Sequence, residues 1–209
     1  MNAQTERLQV AGPAGQIEVL RDAASAEAPA RGVAVIAHPH PLFGGTMDNK
    51  VVQTLARAFV QCGWTAVRFN FRGVGATEGV HDEGRGEAAD MLAVIQAVAP
   101  EGPLALAGFS FGAFVASQAV ASVWPQRSIE KVVLVGAAAS RFEVAVLPPE
   151  AHERTLVVHG ELDDTVALSA VMDWARPQSL PVTVVPGGGH FFHGQLPLLK
   201  NLVVRHLSS

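Results

Sequence analysis

Leu106-Ala107-Gly108-Phe109-Ser110-Phe111-Gly112-Ala113 is the stretch on which the fold turns. It reads as the end of a buried strand, a glycine, a serine two residues on, a second glycine, and a helix of small residues. A strand that turns directly into a helix leaves little room beside the corner residue. The flanking positions must be nearly free of side chain, and Gly108 and Gly112 meet that need. The serine is then held at a strained backbone angle with its hydroxyl above the sheet, the arrangement of the G-x-S-x-G nucleophile elbow. With 20 glycines in 209 residues, the competing reading is a glycine-rich turn that Ser110 merely caps, so the context must decide.

Working outward, composition narrows the classes. Hydrophobic residues make up 49% of the chain and charged residues 16%, enough apolar material for a large core and too much for a disordered chain. The length suits one domain spanning residues 1–209. The net charge is −4 with no basic stripe, which recommends neither nucleic acid nor an anionic membrane as partner. Cys62 is the single cysteine, so an intrachain disulfide is excluded, and its apolar helical setting marks it as a small core residue. Met1-Asn2-Ala3-Gln4-Thr5-Glu6-Arg7 lacks an apolar signal core, and the longest apolar runs are strand-sized. A soluble cytoplasmic protein is the expectation.

The apolar runs lie on both sides of the elbow. Val33-Ala34-Val35-Ile36-Ala37 is continuous, as are residues 104–107, 132–135, 156–158 and 182–185, and residues 65–71 are nearly so. Such runs fit strands covered on both faces, hence a parallel sheet. Leu8 and Val10, then Ile17, Val19 and Leu20, flank Gly12-Pro13-Ala14-Gly15 and predict an antiparallel hairpin at a sheet edge. Helical periodicity fills the gaps. Val51, Val52, Leu55, Ala58, Phe59 and Cys62 share one face and stop at Gly63. Further helices are expected over residues 88–99, 111–123 and 169–176 and around residues 198–203. Alternating strand and helix predicts an α/β fold, a mostly parallel central sheet of about eight strands flanked by helices.

In such a sheet the ligand sits beyond the carboxyl ends of the strands. The run ending at Ala37 continues as His38-Pro39-His40-Pro41-Leu42-Phe43-Gly44-Gly45. Acyl transfer at a serine needs backbone N–H donors for an oxyanion. One expected donor is Phe111, next after the serine. Pro39 and Pro41 have no N–H, so this loop offers His40, Leu42 and Phe43, with His40 favoured by position and Leu42 second. His38 and His40 also form an H-x-H pair, but without a carboxylate cluster the metal reading is the weaker one. Arg72, in the glycine-rich stretch Arg72-Gly73-Val74-Gly75, fits neither the P-loop nor the dinucleotide spacing and reads as a loop organiser.

The run through Val158 ends in His159-Gly160-Glu161-Leu162-Asp163-Asp164. Here Asp163 is the preferred acid, Asp164 the rival, and Glu161 a solvated loop residue. The last run ends in Gly187-Gly188-Gly189-His190-Phe191-Phe192-His193. His190 is the natural general base and His193 its rival. Serine, acid and histidine therefore follow one another as Ser110, Asp163, His190, each past its own strand.

Together with Asp48-Asn49-Lys50 and Arg68-Phe69-Asn70-Phe71-Arg72-Gly73-Val74-Gly75, these segments resemble the α/β-hydrolase superfamily, in its small bacterial dienelactone-hydrolase-like branch. The matching pieces spread over residues 32–194. The resemblance implies a serine nucleophile at Ser110, an acid at Asp163, a base at His190 and no cofactor. No metal is expected, and a monomer or homodimer acting on a small ester-like molecule is the expectation. Serine stands where dienelactone hydrolases use cysteine, which argues against dienelactone as substrate. Between the sixth and seventh runs only residues 139–154 intervene, too few for a cap domain. Phe142, Leu147, Pro148 and Pro149 are expected to form one wall, and Phe109, Phe111, Leu42, Phe43 and Phe192 an apolar acyl pocket. A peptidase, a thioesterase, or a binding protein on the same fold remains an alternative.

Overall fold

A computed structural model describes residues 5–124 and 126–209. Met1–Gln4, the start of the polar N-terminal stretch, and Pro125 lie outside the described residues. In chain order the elements are β1 (Thr5–Gly12), β2 (Gly15–Asp22), β3 (Gly32–Ala37), α1 (Lys50–Gln61), β4 (Trp64–Phe69), α2 (Arg85–Val98), β5 (Leu104–Phe109), α3 (Phe111–Val123), β6 (Lys131–Val135), β7 (Thr155–Gly160), α4 (Leu168–Ala175), β8 (Val182–Val185) and α5 (Leu196–Ser208). Short 3-10 turns cover Pro41–Phe43, Pro149–Arg154 and Arg176–Gln178.

The eight strands form one sheet in the order β1-β2-β4-β3-β5-β6-β7-β8. β1 and β2 are the antiparallel hairpin at one edge, and β2 pairs antiparallel with β4. From β4 to β8 every pairing is parallel. The apolar runs are therefore long because both faces are covered: helices α1 and α5 pack on one side, and α2, α3 and α4 on the other. β8 departs from that reading. It is an edge strand, and Val184 is 37% exposed, because no further strand shields it.

Chain order positions the functional end of the sheet. β3 leads through α1 to β4 on one side, and the chain then returns through α2 to β5 on the other. The chain leaves the paired C-terminal ends of β3 and β5 towards opposite faces of the sheet, into α1 and α3, leaving the crevice in which α/β sheets bind ligands. The elbow follows β5 and the His38–His40 loop follows β3.

Local chemistry sets the element ends. Asn49 Oδ1 accepts the Val51 N–H at 2.9 Å and starts α1. Buried Arg68 on β4 holds Asp22 at 3.1 Å, Asp48 at 3.2 Å and the Met47 carbonyl at 3.0 Å, tying the loop after β3 to its neighbours. Arg72 makes a two-pronged pair with Asp90, at 2.8 and 2.9 Å, and donates to the Gly86 carbonyl. It fastens the loop after β4 to α2, the organising role read from sequence. Cys62 is only half-buried, at the C-terminal cap of α1, rather than fully in the core. Helix α5 begins at Leu196, so exposed His193 precedes it instead of lying in its first turn.

Candidate active site

The elbow is as tight as its glycines require. A Cβ at Gly108 would sit 2.1 Å from the Gly112 carbonyl oxygen, and one at Gly112 would sit 2.4 Å from that of Ala37. Both obstacles are backbone, so strand β5, helix α3 and the end of β3 approach this closely only without side chains there. Ser110 takes φ 58°, ψ −118°, a conformation costly for a side-chain-bearing residue. Its N–H donates to the Val135 carbonyl at 2.8 Å, and its carbonyl accepts from Ala113 and Phe114. Neighbouring β6 and the first turn of α3 thus hold the strained residue in place.

The structure brings Ser110, His190 and Asp163 into one hydrogen-bonded chain. His190 Nδ1 lies 2.7 Å from Asp163 Oδ2, and His190 Nε2 lies 2.9 Å from Ser110 Oγ. A carboxylate only accepts, so Nδ1 carries the proton and bare Nε2 accepts the serine hydroxyl. Asp163 Oδ1 accepts the N–H groups of Thr165, at 2.9 Å, and Val166, at 2.7 Å. Burial pushes the Asp163 carboxyl up, but the hydrogen bonds from His190, Val166 and Thr165 outweigh it and hold the group below the ordinary carboxylate range. The His190 ring is wedged between Phe109, 4.9 Å away, and Phe191, 5.0 Å away.

Asp164 accepts only the adjacent Thr165 hydroxyl, and Glu161 holds the Gly187 N–H in its own loop; neither joins the chain. His193 is exposed and outside it as well. Sequence reading missed His159. Fully buried at the end of β7, it donates from Nε2 to the Val166 carbonyl at 2.9 Å and lies 3.5 Å from Asp163 Oδ2. It steadies the loop that presents Asp163. The signal was a polar residue ending an otherwise apolar run.

The two histidines of the H-x-H pair part ways. His38 is completely buried. Its Nδ1 donates to the Pro39 carbonyl at 2.6 Å and its Nε2 accepts the Phe71 N–H at 3.0 Å. Desolvation lowers its pKa to about 4 despite the Pro39 hydrogen bond. With both ring nitrogens engaged, His38 is not disposed to bind a metal. His40 faces the cleft. Its ring contacts His81, Phe111, Phe43 and Phe142 at centroid distances of 4.8, 4.8, 4.9 and 5.8 Å. Burial first, then repulsion from His81, hold its imidazole below the usual value, with Glu87 opposing. His40 Nδ1 accepts the Leu42 N–H at 3.2 Å, and the Phe43 N–H goes to the His40 carbonyl. Those two amides are occupied, which leaves the His40 N–H in this loop. The Phe111 N–H is the first of α3 and has no acceptor one turn back within the helix.

A cleft of about 350 Å³ opens over Ser110 and His190. Its walls include Phe43, Phe111, Phe142 and Phe191, with Asn49, Thr165 and Arg141 at the polar positions. The expected walls need correcting. Phe109 and Phe192 are wholly buried beneath the site, because their backbones direct them into the core, and Phe191 lines the cleft instead. Leu42 is 69% exposed outside the cleft. Leu147 belongs to the core, and neither Pro148 nor Pro149 lines the cleft. Between β6 and β7 there is no helical insertion, only loop and the Pro149–Arg154 turn, so nothing from that segment roofs the site.

Comparison with known proteins agrees with this fold. Residues 28–155 match the family model described as serine aminopeptidase, S33. An α/β serine hydrolase without lid from Xanthomonas campestris is 33% identical, covers 100% of this chain and 95% of its own, and superimposes with a TM-score of 0.88. An α/β serine hydrolase homologue from Coxiella burnetii is 37% identical over 97% of each chain, with a TM-score of 0.81. A protein of Rickettsia prowazekii is 42% identical over 113 residues, 52% of this chain and 47% of that protein, so the match spans about half the length of that curated relative. The family match and the shared lidless architecture show that this chain belongs to the α/β serine hydrolases.

Proposed function

We propose that the protein hydrolyses carboxylic esters of small molecules through an acyl-enzyme on Ser110. The observation that carries this reading is the continuous chain Ser110 Oγ–His190–Asp163, at 2.9 and 2.7 Å. His190 Nε2 takes the hydroxyl proton as Oγ attacks the ester carbonyl. Asp163 keeps the imidazole in the tautomer that leaves Nε2 bare, and stabilises the imidazolium that follows. The tetrahedral oxyanion is received by the N–H groups of Phe111 and His40. His190 then returns its proton to the leaving alcohol, and water repeats the sequence on the acyl-enzyme.

The matched family model carries an aminopeptidase description. Recognition of a substrate's free α-ammonium calls for a carboxylate in the site. The cleft lining holds no aspartate or glutamate, which favours an ester over an N-terminal aminoacyl substrate. The test is labelling by a fluorophosphonate probe located by mass spectrometry, followed by an acyl-ester panel. Label on Ser110 and ester turnover abolished in a folded Ser110→Ala variant are expected. An unlabelled Ser110, or an unaffected rate in Ser110→Ala, refutes the proposal.

A further inference from the structure

The cleft over Ser110 has an uneven polar inventory. Arg141, in the loop after β6, lines it, and among the described residues the Arg141 guanidinium makes no ion pair and no hydrogen bond. By contrast Arg68 and Arg72 are each paired with a carboxylate. Arg141 also disfavours a proton on His40. His40 adds a second donor: Nδ1 accepts from Leu42, so the proton is on Nε2, at the cleft wall. No carboxylate lines the cleft. A guanidinium left without a partner in the cleft that holds the serine, with aromatic walls and no carboxylate, fits an anionic group on the substrate.

We propose that Arg141 makes the cleft selective for esters that carry a carboxylate in addition to the scissile bond. The guanidinium fork receives the two carboxylate oxygens, while Phe43, Phe111 and Phe142 cover the apolar part. This deepens the hydrolase reading above and rests on it for the reaction. Arg141 acts on binding and not on the reacting atoms, so its effect falls mainly on KM. Because the residue is solvent-exposed, the preference is modest, about three- to fivefold, and shrinks as salt screens it.

The experiment uses two matched substrate pairs. Mono-p-nitrophenyl glutarate against its methyl ester places the charge on the acyl side; 4-acetoxybenzoate against its methyl ester places it on the leaving-group side. For each pair the ratio of kcat/KM, charged over neutral, is measured for the wild type, Arg141→Gln and Arg141→Lys. A ratio lowered at least threefold by Arg141→Gln in either pair, with partial retention in Arg141→Lys, supports the inference and tells which side carries the charge. A smaller change in both pairs overturns it, including a loss shared equally by charged and neutral esters. Binding of the same four compounds to Ser110→Ala, with and without Arg141→Gln, separates the two readings. Arg141-dependent binding of a charged ester that the wild type does not turn over means that the hydrolase reading has failed and this one stands. Binding indifferent to Arg141 overturns this one.

Discussion

Replacing His38 with phenylalanine tests both the stability and the chemistry of the loop after β3. His38 sits under the peptide that joins Pro39 to His40. It donates to the Pro39 carbonyl, which belongs to the same peptide plane as the His40 N–H, and it accepts from Phe71 N–H on the far side. Phenylalanine, slightly larger, keeps an aromatic ring against Phe71, now at 4.6 Å, but orphans one buried carbonyl and one buried N–H. At about 1–3 kcal/mol for each orphan, the loss is about 2–6 kcal/mol. At about 2–4 °C per kcal/mol for a chain of this size, the middle of that range lowers Tm by roughly 8–16 °C. If the peptide also turns, the His40 N–H leaves the oxyanion position, and kcat falls by roughly 10–100-fold with KM little changed.

Acid gives this prediction a second arm. Folded His38 has its pKa lowered from 6.5 to about 4, so between those values the unfolded chain binds the proton and the folded chain does not. Stability is therefore full above pH 6.5 and is lost as pH falls towards 4. At pH 5 the His38 contribution to that loss is about 2 kcal/mol. Urea unfolding midpoints at pH 7.5 and pH 5 measure it. His38→Phe is expected to be less stable at pH 7.5 but to lose about 2 kcal/mol less than the wild type on going to pH 5. An equal acid decrement in both proteins refutes the neutral, doubly bonded His38 described above.

Other outcomes are expected of the same structure. Asp163→Asn removes the carboxylate that fixes the His190 tautomer, and kcat for ester hydrolysis should fall by roughly 10³–10⁴; a loss below tenfold would point to another acid. Gly112→Ala sets a Cβ 2.4 Å from the Ala37 carbonyl and 2.5 Å from that of His38, so thermal unfolding should show a loss of about 1–3 kcal/mol and the serine should react more slowly with fluorophosphonate. Arg72→Gln strands nearly buried Asp90, for which denaturant titration should report a loss of about 3–5 kcal/mol.

How much was legible follows from what each signal measures. Strands covered on both faces must be apolar throughout, so β3, β5, β6 and β7 stood out as runs, and α1 stood out by its period. The runs did not tell where the sheet ends, so β8 read like a central strand although its last neighbour is missing. Backbone rules out side chains at Gly108 and Gly112, so the elbow was readable as local chemistry. Ser110, Asp163 and His190 could be ordered because each follows its own strand in a parallel sheet, whose carboxyl ends all meet on one side.

What the chain's order alone leaves undecided is which neighbouring groups touch. Asp163, Asp164 and Glu161 differ by a residue or two in sequence. Only the loop geometry turns Asp163 to His190 and supplies it with two backbone N–H groups. His38 and His40 look alike as a pair, yet the intervening proline sends one under the peptide and the other into the cleft. Phe192, expected in the pocket, is buried and Phe191 lines the cleft instead, since adjacent side chains leave the backbone in different directions. Arg72 and Arg141 are both loop arginines in sequence; in three dimensions one meets Asp90 and the other meets no acid among the described residues. Local sequence thus fixed the strands, the elbow and the order of its partners, because these depend on covering, backbone sterics and chain direction. The tertiary structure decided which acid meets His190, which loop amide is left without an acceptor and which side chains wall the cleft, because contacts between distant segments depend on how the sheet and helices pack.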